Sequence, residues 1–88
     1  MISLTRPSFW QLYYDLPPEV RAQARAAFAI FSQNPFHGGI QFKKLAGLPD
    51  WWSVRIGLHY RAVGARDGET IRWFWIGSHS DYDRLLGC

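Results

Sequence analysis

Cysteine is nearly missing from this chain: the one present, Cys88, is the last of 88 residues. That excludes an internal disulfide framework and a cysteine-built zinc site. It fits a reducing, cytoplasmic location, which is the expectation. Histidine is sparse as well. His37, His59 and His79 are scattered without a close carboxylate cluster, so no metal is expected. No apolar run approaches the ~20 residues of a membrane span. Met1 to Leu4 lack the apolar stretch of a secretory signal, so no membrane association is expected. Acidic side chains are outnumbered, seven against ten Lys and Arg, for a net charge of +3. That balance suits an acidic partner but is also common in ordinary small domains.

Aromatics are plentiful: five Trp, six Phe and four Tyr. A chain this short makes one domain, residues 1–88, and buries only a modest fraction of its surface. Large aromatic side chains compensate, because each buries more apolar area than any aliphatic residue.

The first half has helical spacing. Met1 to Thr5 reads as a short edge strand. Pro7 then suits a first helical turn, and Phe9, Leu12, Tyr13 and Leu16 recur at i, i+3, i+4, i+7. Leu16-Pro17-Pro18 ends this helix and opens the next. Glu19 complements the dipole there, and Val20, Ala24, Ala27, Phe28 and Phe31 line one face to about Gln33. Asn34-Pro35 stops it. The second half is strand-like: Ile40 to Leu45, Trp51 to Ile56, Tyr60 to Ala65 and Thr70 to Ser78. Gly47-Leu48-Pro49-Asp50 separates the first two, and Asp67-Gly68 is a strong hairpin signal between the last two. Ser80 is a candidate N-cap for a helical tail ending near Leu86. The expected class is α+β: two N-terminal helices on one face of a mainly antiparallel four-stranded sheet, with a short C-terminal helical tail.

Register decides which side chains meet. A two-residue loop at Asp67-Gly68 would pair Ala62 with Trp73 and Tyr60 with Trp75. A three-residue loop at Gly57-Leu58-His59 would pair Ile56 with Tyr60 and Arg55 with Arg61. Trp52, Val54, Ile56, Tyr60, Ala62, Ile71, Trp73 and Trp75 then share the helix-covered face. Ser53, Arg55, Arg61, Val63, Arg72, Phe74 and Ile76 share the other. A two-residue loop at Gly57-Leu58 would instead put the two arginines on opposite faces.

This pattern suggests phosphate chemistry. Two fixed guanidiniums, Arg55 and Arg61, would sit near His79 and Tyr82, which the last strand delivers at its end. Cleaving a phosphodiester needs fixed cations to offset growing negative charge and a group to move protons. Histidine side chains ordinarily titrate in the range that such work requires. Each residue also has an ordinary role available. Arg55 would be satisfied by Asp81 or Asp83, His79 would start a helix beside the same carboxylates, and Tyr82 would pin the tail to the sheet. Lys43 and Lys44 would be solvating charges on an edge strand. Adjacent strand residues face opposite ways, so at most one of these lysines is expected in the site.

Several segments in order resemble the RelE/ParE toxin superfamily. They are Leu16-Pro17-Pro18-Glu19-Val20, Phe42-Lys43-Lys44-Leu45-Ala46-Gly47, Ser53-Val54-Arg55-Ile56-Gly57, Tyr60-Arg61-Ala62 and Ile76-Gly77-Ser78-His79-Ser80-Asp81-Tyr82-Asp83. The resemblance spans nearly the whole chain. It implies the toxin of a type II toxin–antitoxin system, cytoplasmic, with a cognate antitoxin as partner and growth arrest as its effect. One branch is a metal- and cofactor-free endoribonuclease that cuts mRNA on the ribosome by attack of the ribose 2′-hydroxyl. The other binds and inhibits DNA gyrase. A catalytically silent, antitoxin-binding member is a third expectation. For the ribonuclease branch, the resemblance implies catalytic roles for Arg55, Arg61, His79 and Tyr82, with Lys43 and Lys44 on phosphate; Arg72 is added to these as a further cation on the same face. The His79-to-Asp83 segment matches no single ribonuclease of the family uniquely.

Overall fold

The chain begins with a strand, β1 (Ile2–Thr5), and two helices, α1 (Pro7–Tyr14) and α2 (Pro18–Gln33). A 3-10 turn at Gly38–Ile40 leads to β2 (Lys43–Lys44), β3 (Trp51–Ile56), β4 (Tyr60–Asp67), β5 (Thr70–Ser78) and a closing helix, α3 (His79–Leu85). This computed structural model describes residues 1–47 and 50–87. Leu48 and Pro49 of the expected break before β3, and Cys88, lie outside the described residues. No helix among the described residues is long and apolar enough to cross a membrane.

The sheet has five strands in the order β1-β5-β4-β3-β2, not four. The fifth is β1, the edge strand expected at Met1 to Thr5, which runs parallel to β5, while every other pairing is antiparallel. The indole N–H of Trp73 donates to Ser3 Oγ at 2.8 Å and ties β1 to the core. The first expected strand shrinks to Lys43–Lys44. The Gly38–Ile40 turn and Gln41, left-handed at φ 47, keep the backbone from extending earlier.

Both N-terminal helices pack on one face. Phe9 and Tyr13 of α1, and Val20, Ala24, Ala27 and Phe31 of α2, meet Val54, Ile56, Ala62, Ile71, Trp73 and Ile76 in one core. Trp73 is fully buried, with ring centroids 5.4 Å from Phe31 and 5.1 Å from Phe28, both edge-on. Burying a side chain of this kind contributes roughly 2–3 kcal/mol before geometry adds to it.

The β3–β4 register is the expected one: Val54 opposite Ala62, Arg55 opposite Arg61, Ile56 opposite Tyr60. The β4–β5 register is not. The loop residues are Gly68 and Glu69, with Asp67 paired to Thr70. Positive φ falls on Gly68 alone, the first central position, as in a type II′ hairpin turn. Gly64 then pairs with Trp73 but Val63 with Trp75, so Phe74 is an extra residue, a β-bulge. Beyond it the faces exchange. Trp75 joins a second cluster with Trp51, Phe74, Leu45, Val63 and Tyr82, and Ile76 enters the helix-side core. The expectation for Trp73 holds; those for Trp75 and Ile76 are corrected by the bulge. The N-cap of α3 is also corrected: Ser78, not Ser80, accepts the Asp81 N–H at 3.2 Å.

Candidate functional site

The face away from α1 and α2, here the open face, carries the candidate residues. Val54, Ile56 and Ala62 are buried among the helices, so alternation turns Arg55 and Arg61 the other way. The three-residue turn at Gly57-Leu58-His59 sets them directly opposite one another. Gly57 takes φ 57 there, which suits glycine. Arg55 Nε donates to the carbonyl of Gly57 at 2.8 Å, which holds the guanidinium against its own turn.

Arg61 is half-buried and held by neutral groups. It lies 3.4 Å from Ser53 Oγ, donates to Gln41 Oε1 at 3.2 Å, and sits 5.5 Å from the centre of the Tyr82 ring. The ring contact contributes about 0.5–1 kcal/mol. Neither arginine has a carboxylate within ion-pair distance among the described residues. The acids proposed as partners for Arg55 are occupied within α3, Asp81 with Arg84 at 3.4 Å and Asp83 near His79 at 3.9 Å. The two arginines are thus opposite one another in the β3–β4 register, with no acidic partner among the described residues, while Arg55 also lines a pocket with Gln23, Ala26 and Ile30 of α2. Guanidinium forks in that setting match the geometry of a phosphate.

His79 opens α3. Its backbone N–H donates to the carbonyl of His59 at 2.7 Å, which joins the β3–β4 turn to the start of the helix. Its ring is exposed, 5.7 Å from that of Tyr82, and the 3.9 Å to Asp83 is beyond hydrogen-bond reach. Arg61 and His79 therefore flank the same tyrosine. Tyr82 is buried against Leu45, Val63 and Trp75, so its ring is the floor on which both rest. Gly77 lies beside Arg61 in the sheet, and a Cβ there would come within 2.7 Å of the Trp75 ring. The absent side chain keeps room for that indole.

The remaining basic candidates separate. Lys43 pairs with Ser53 and shares the face of Arg61, whereas Lys44 pairs with Trp52, points to the helix side and lies 3.9 Å from Asp50. Arg72 is on the open face but five residues before Gly77 along β5, roughly 16 Å away at 3.3 Å per residue. The structure brings Arg61, His79 and Tyr82 together, sets Lys43 on the same face, and places Arg55 opposite Arg61 in register but lining a pocket with Gln23, Ala26 and Ile30 of α2; Lys44 and Arg72 lie elsewhere. Sequence reasoning missed Gln41 and Ser53 as the groups that position Arg61. Ser53 carried a signal, since alternation already placed it on the arginine face. Gln41 carried none. Among the described residues, no group of three or more His, Cys, Asp or Glu is placed to hold a metal ion.

A family model described as a ParE-like toxin domain matches residues 18–84. No curated protein matches the sequence. Among solved structures, the chain is similar to the RelB–RelE antitoxin–toxin complex from Methanococcus jannaschii, with TM-score 0.75 and 19% identity over 93% of this chain and 98% of that one. It is similar to the YoeB/ParE toxin from Agrobacterium tumefaciens, with TM-score 0.69 and 20% identity over 90% and 99%. It is also similar to the RelBE2 toxin–antitoxin complex from Mycobacterium tuberculosis, with TM-score 0.67 and 24% identity over 89% and 96%. At such identities these likenesses speak for the fold.

Proposed function

The chain belongs to the ParE-like toxin family, toxins of type II toxin–antitoxin systems, and from that premise we propose that it is an endoribonuclease that cuts mRNA, on the ribosome, without a metal or cofactor. The observation that carries this reading is Arg61, held by neutral groups with no carboxylate in ion-pair distance among the described residues and sharing the Tyr82 ring with the exposed His79 imidazole, with Arg55 opposite it in the β3–β4 register. The guanidiniums hold the scissile phosphate and offset the charge that grows as the 2′-oxygen attacks phosphorus. His79 takes the 2′-hydroxyl proton or delivers one to the departing 5′-oxygen. Tyr82 acts from beneath, orienting both groups, and Lys43 adds charge at the β2 edge. The P–O5′ bond breaks as the new P–O2′ bond forms, leaving a 2′,3′-cyclic phosphate and a 5′-hydroxyl. Each proton transfer is worth roughly a hundredfold or more, and each preorganised cation roughly as much again.

The partner in this reading is a cognate antitoxin, as in the toxin–antitoxin complexes that share the fold. A disordered acidic, amphipathic segment that folds on binding suits a surface both basic and apolar. Tyr14, Phe36 and Leu58 are among the large apolar side chains left exposed for it. Calorimetry with the product of the adjacent gene should show tight binding, and no measurable heat would remove this partner.

One observation favours a second reading, inhibition of DNA gyrase: the matching family model carries the ParE name. That activity needs a contact surface and no proton transfer. Induced expression followed by parallel assays of transcript cleavage and gyrase supercoiling separates the two. Transcript cleavage with supercoiling intact is expected. Arg61→Ala and His79→Ala should each abolish growth arrest while leaving the fold and antitoxin binding in place. Full toxicity of a His79→Ala/Tyr82→Phe double variant would move the gyrase reading ahead.

A further inference from the structure

Arg72 is the cation that the proposed site leaves unused, and it is not alone. It lines a groove of about 540 Å³ at the far end of the open face, with Arg6, Arg66, Trp51 and Phe74. Asp67 is the one acid in the lining. Arg66 is already engaged, its Nε on the carbonyl of Gly68 at 2.9 Å and its guanidinium 4.7 Å from the centre of the Trp52 ring. Arg6 and Arg72 are exposed, and neither has a carboxylate within ion-pair distance among the described residues.

The bulge explains the aromatic wall. It turns Phe74 and Trp75 both to the open face, and Phe74 meets Trp51 with ring centroids 4.8 Å apart at 58°. Both rings are half-buried, so each keeps accessible surface beside the two free arginines. Leu85 and Leu86 pack into the same aromatic cluster, and Arg72 lies roughly 16 Å along β5 from Gly77, which sits beside Arg61. The groove is therefore a separate foothold, not an extension of the Arg55–Arg61 row.

We propose that this groove is a second nucleic-acid subsite, in which Arg6 and Arg72 grip a backbone phosphate of single-stranded RNA and Trp51 and Phe74 receive a base. Cationic side chains that track the backbone beside aromatic rings that stack on bases are the means by which proteins hold single strands without reading sequence. An acidic protein segment would use the charges but not the ring pair, and so fits less of what is there. The assignment rests on the ribonuclease reading for the identity of the strand. Its role is to anchor the transcript away from the cut.

The test is fluorescence anisotropy with a labelled single-stranded oligoribonucleotide, in a His79→Ala background so that nothing is cleaved. Adding Arg6→Ala and Arg72→Ala together should weaken binding about tenfold at low salt. It should also lower the slope of log affinity against log salt by about 0.7, the value for one phosphate no longer neutralised on a single strand. A thermal melt checks the fold, and Arg72→Glu alone should weaken binding in the same direction. Unchanged affinity and slope would overturn the assignment. So would a loss of affinity for a polyglutamate peptide with RNA binding intact, since that would identify an acidic protein as the occupant. If the unsubstituted protein cuts no RNA yet its oligonucleotide binding depends on Arg6 and Arg72, the groove stands and the ribonuclease reading falls.

Discussion

The two faces of one sheet do opposite work with residues from the same strands. On the helix side, Val54, Ile56, Ala62, Ile71, Trp73 and Ile76 meet α1 and α2 in one apolar core, with T-shaped aromatic contacts around Trp73. On the open side, alternate residues of β3 and β4 present Arg55 and Arg61, supported by neutral groups and half-covered by α3. Period-two alternation makes this division possible in 88 residues. Packing on one side fixes the strands, and the fixed strands hold two like charges opposite each other. Such a pair destabilises a sheet, so the rigid side offsets what the charged side costs.

If the helix side is the scaffold, damage there should be the most severe. Trp73→Ala should destabilise by about 3–5 kcal/mol, enough to unfold much of a domain this small, as read by urea denaturation. A loss below about 1 kcal/mol would mean the aromatic core is not what holds the sheet. On the open side, Gly77→Ala sharpens the contrast, because the new methyl meets the Trp75 ring. It should cost about 1–3 kcal/mol by overpacking and shift the Trp75 environment in near-ultraviolet circular dichroism, with the helix-side amides unmoved. Ser78→Ala removes the cap of α3 and should cost about 1 kcal/mol. Hydrogen exchange should then quicken in α3 and not in α2; equal quickening in both would deny that the two faces are separable. Smallest of all, Asp83→Asn removes an exposed carboxylate 3.9 Å from His79 and should change stability by less than about 0.5 kcal/mol. A larger effect would show that α3 depends on that pair.

The division between faces was largely legible from residue spacing, and its failures have identifiable causes. The helices follow from the Phe9-to-Leu16 and Val20-to-Phe31 spacing, and the arginine pair from the length of the Gly57–His59 turn. The bulge at Phe74 was not read. Its one mark in the chain is Gly64, a strand glycine whose missing Cβ gives room to Ile71 and Trp73, each within 2.9 Å of where that atom would stand. Missing it misplaced Trp75 and Ile76. The left-handed turn at Gln41 leaves no trace in composition, so spacing alone overextends β2 and gives no sign of this partner of Arg61. Lys44 and Arg72 had the right charge, but pairing with Trp52 and length along β5 put them elsewhere. Charge is readable one residue at a time, whereas coincidence in space needs register, and register depends on single inserted residues.

The central claim is that the Arg55–Arg61 row with His79 performs phosphoryl chemistry. Single-turnover cleavage of a programmed mRNA on ribosomes, in EDTA and with end-group analysis of the products, tests it most directly. The account predicts cleavage that persists in EDTA and leaves a 2′,3′-cyclic or 3′-phosphate and a 5′-hydroxyl, with Arg61→Ala slowing the step about a hundredfold or more. Products bearing a 5′-phosphate, or an Arg61→Ala variant that cuts at the unsubstituted rate, would contradict it.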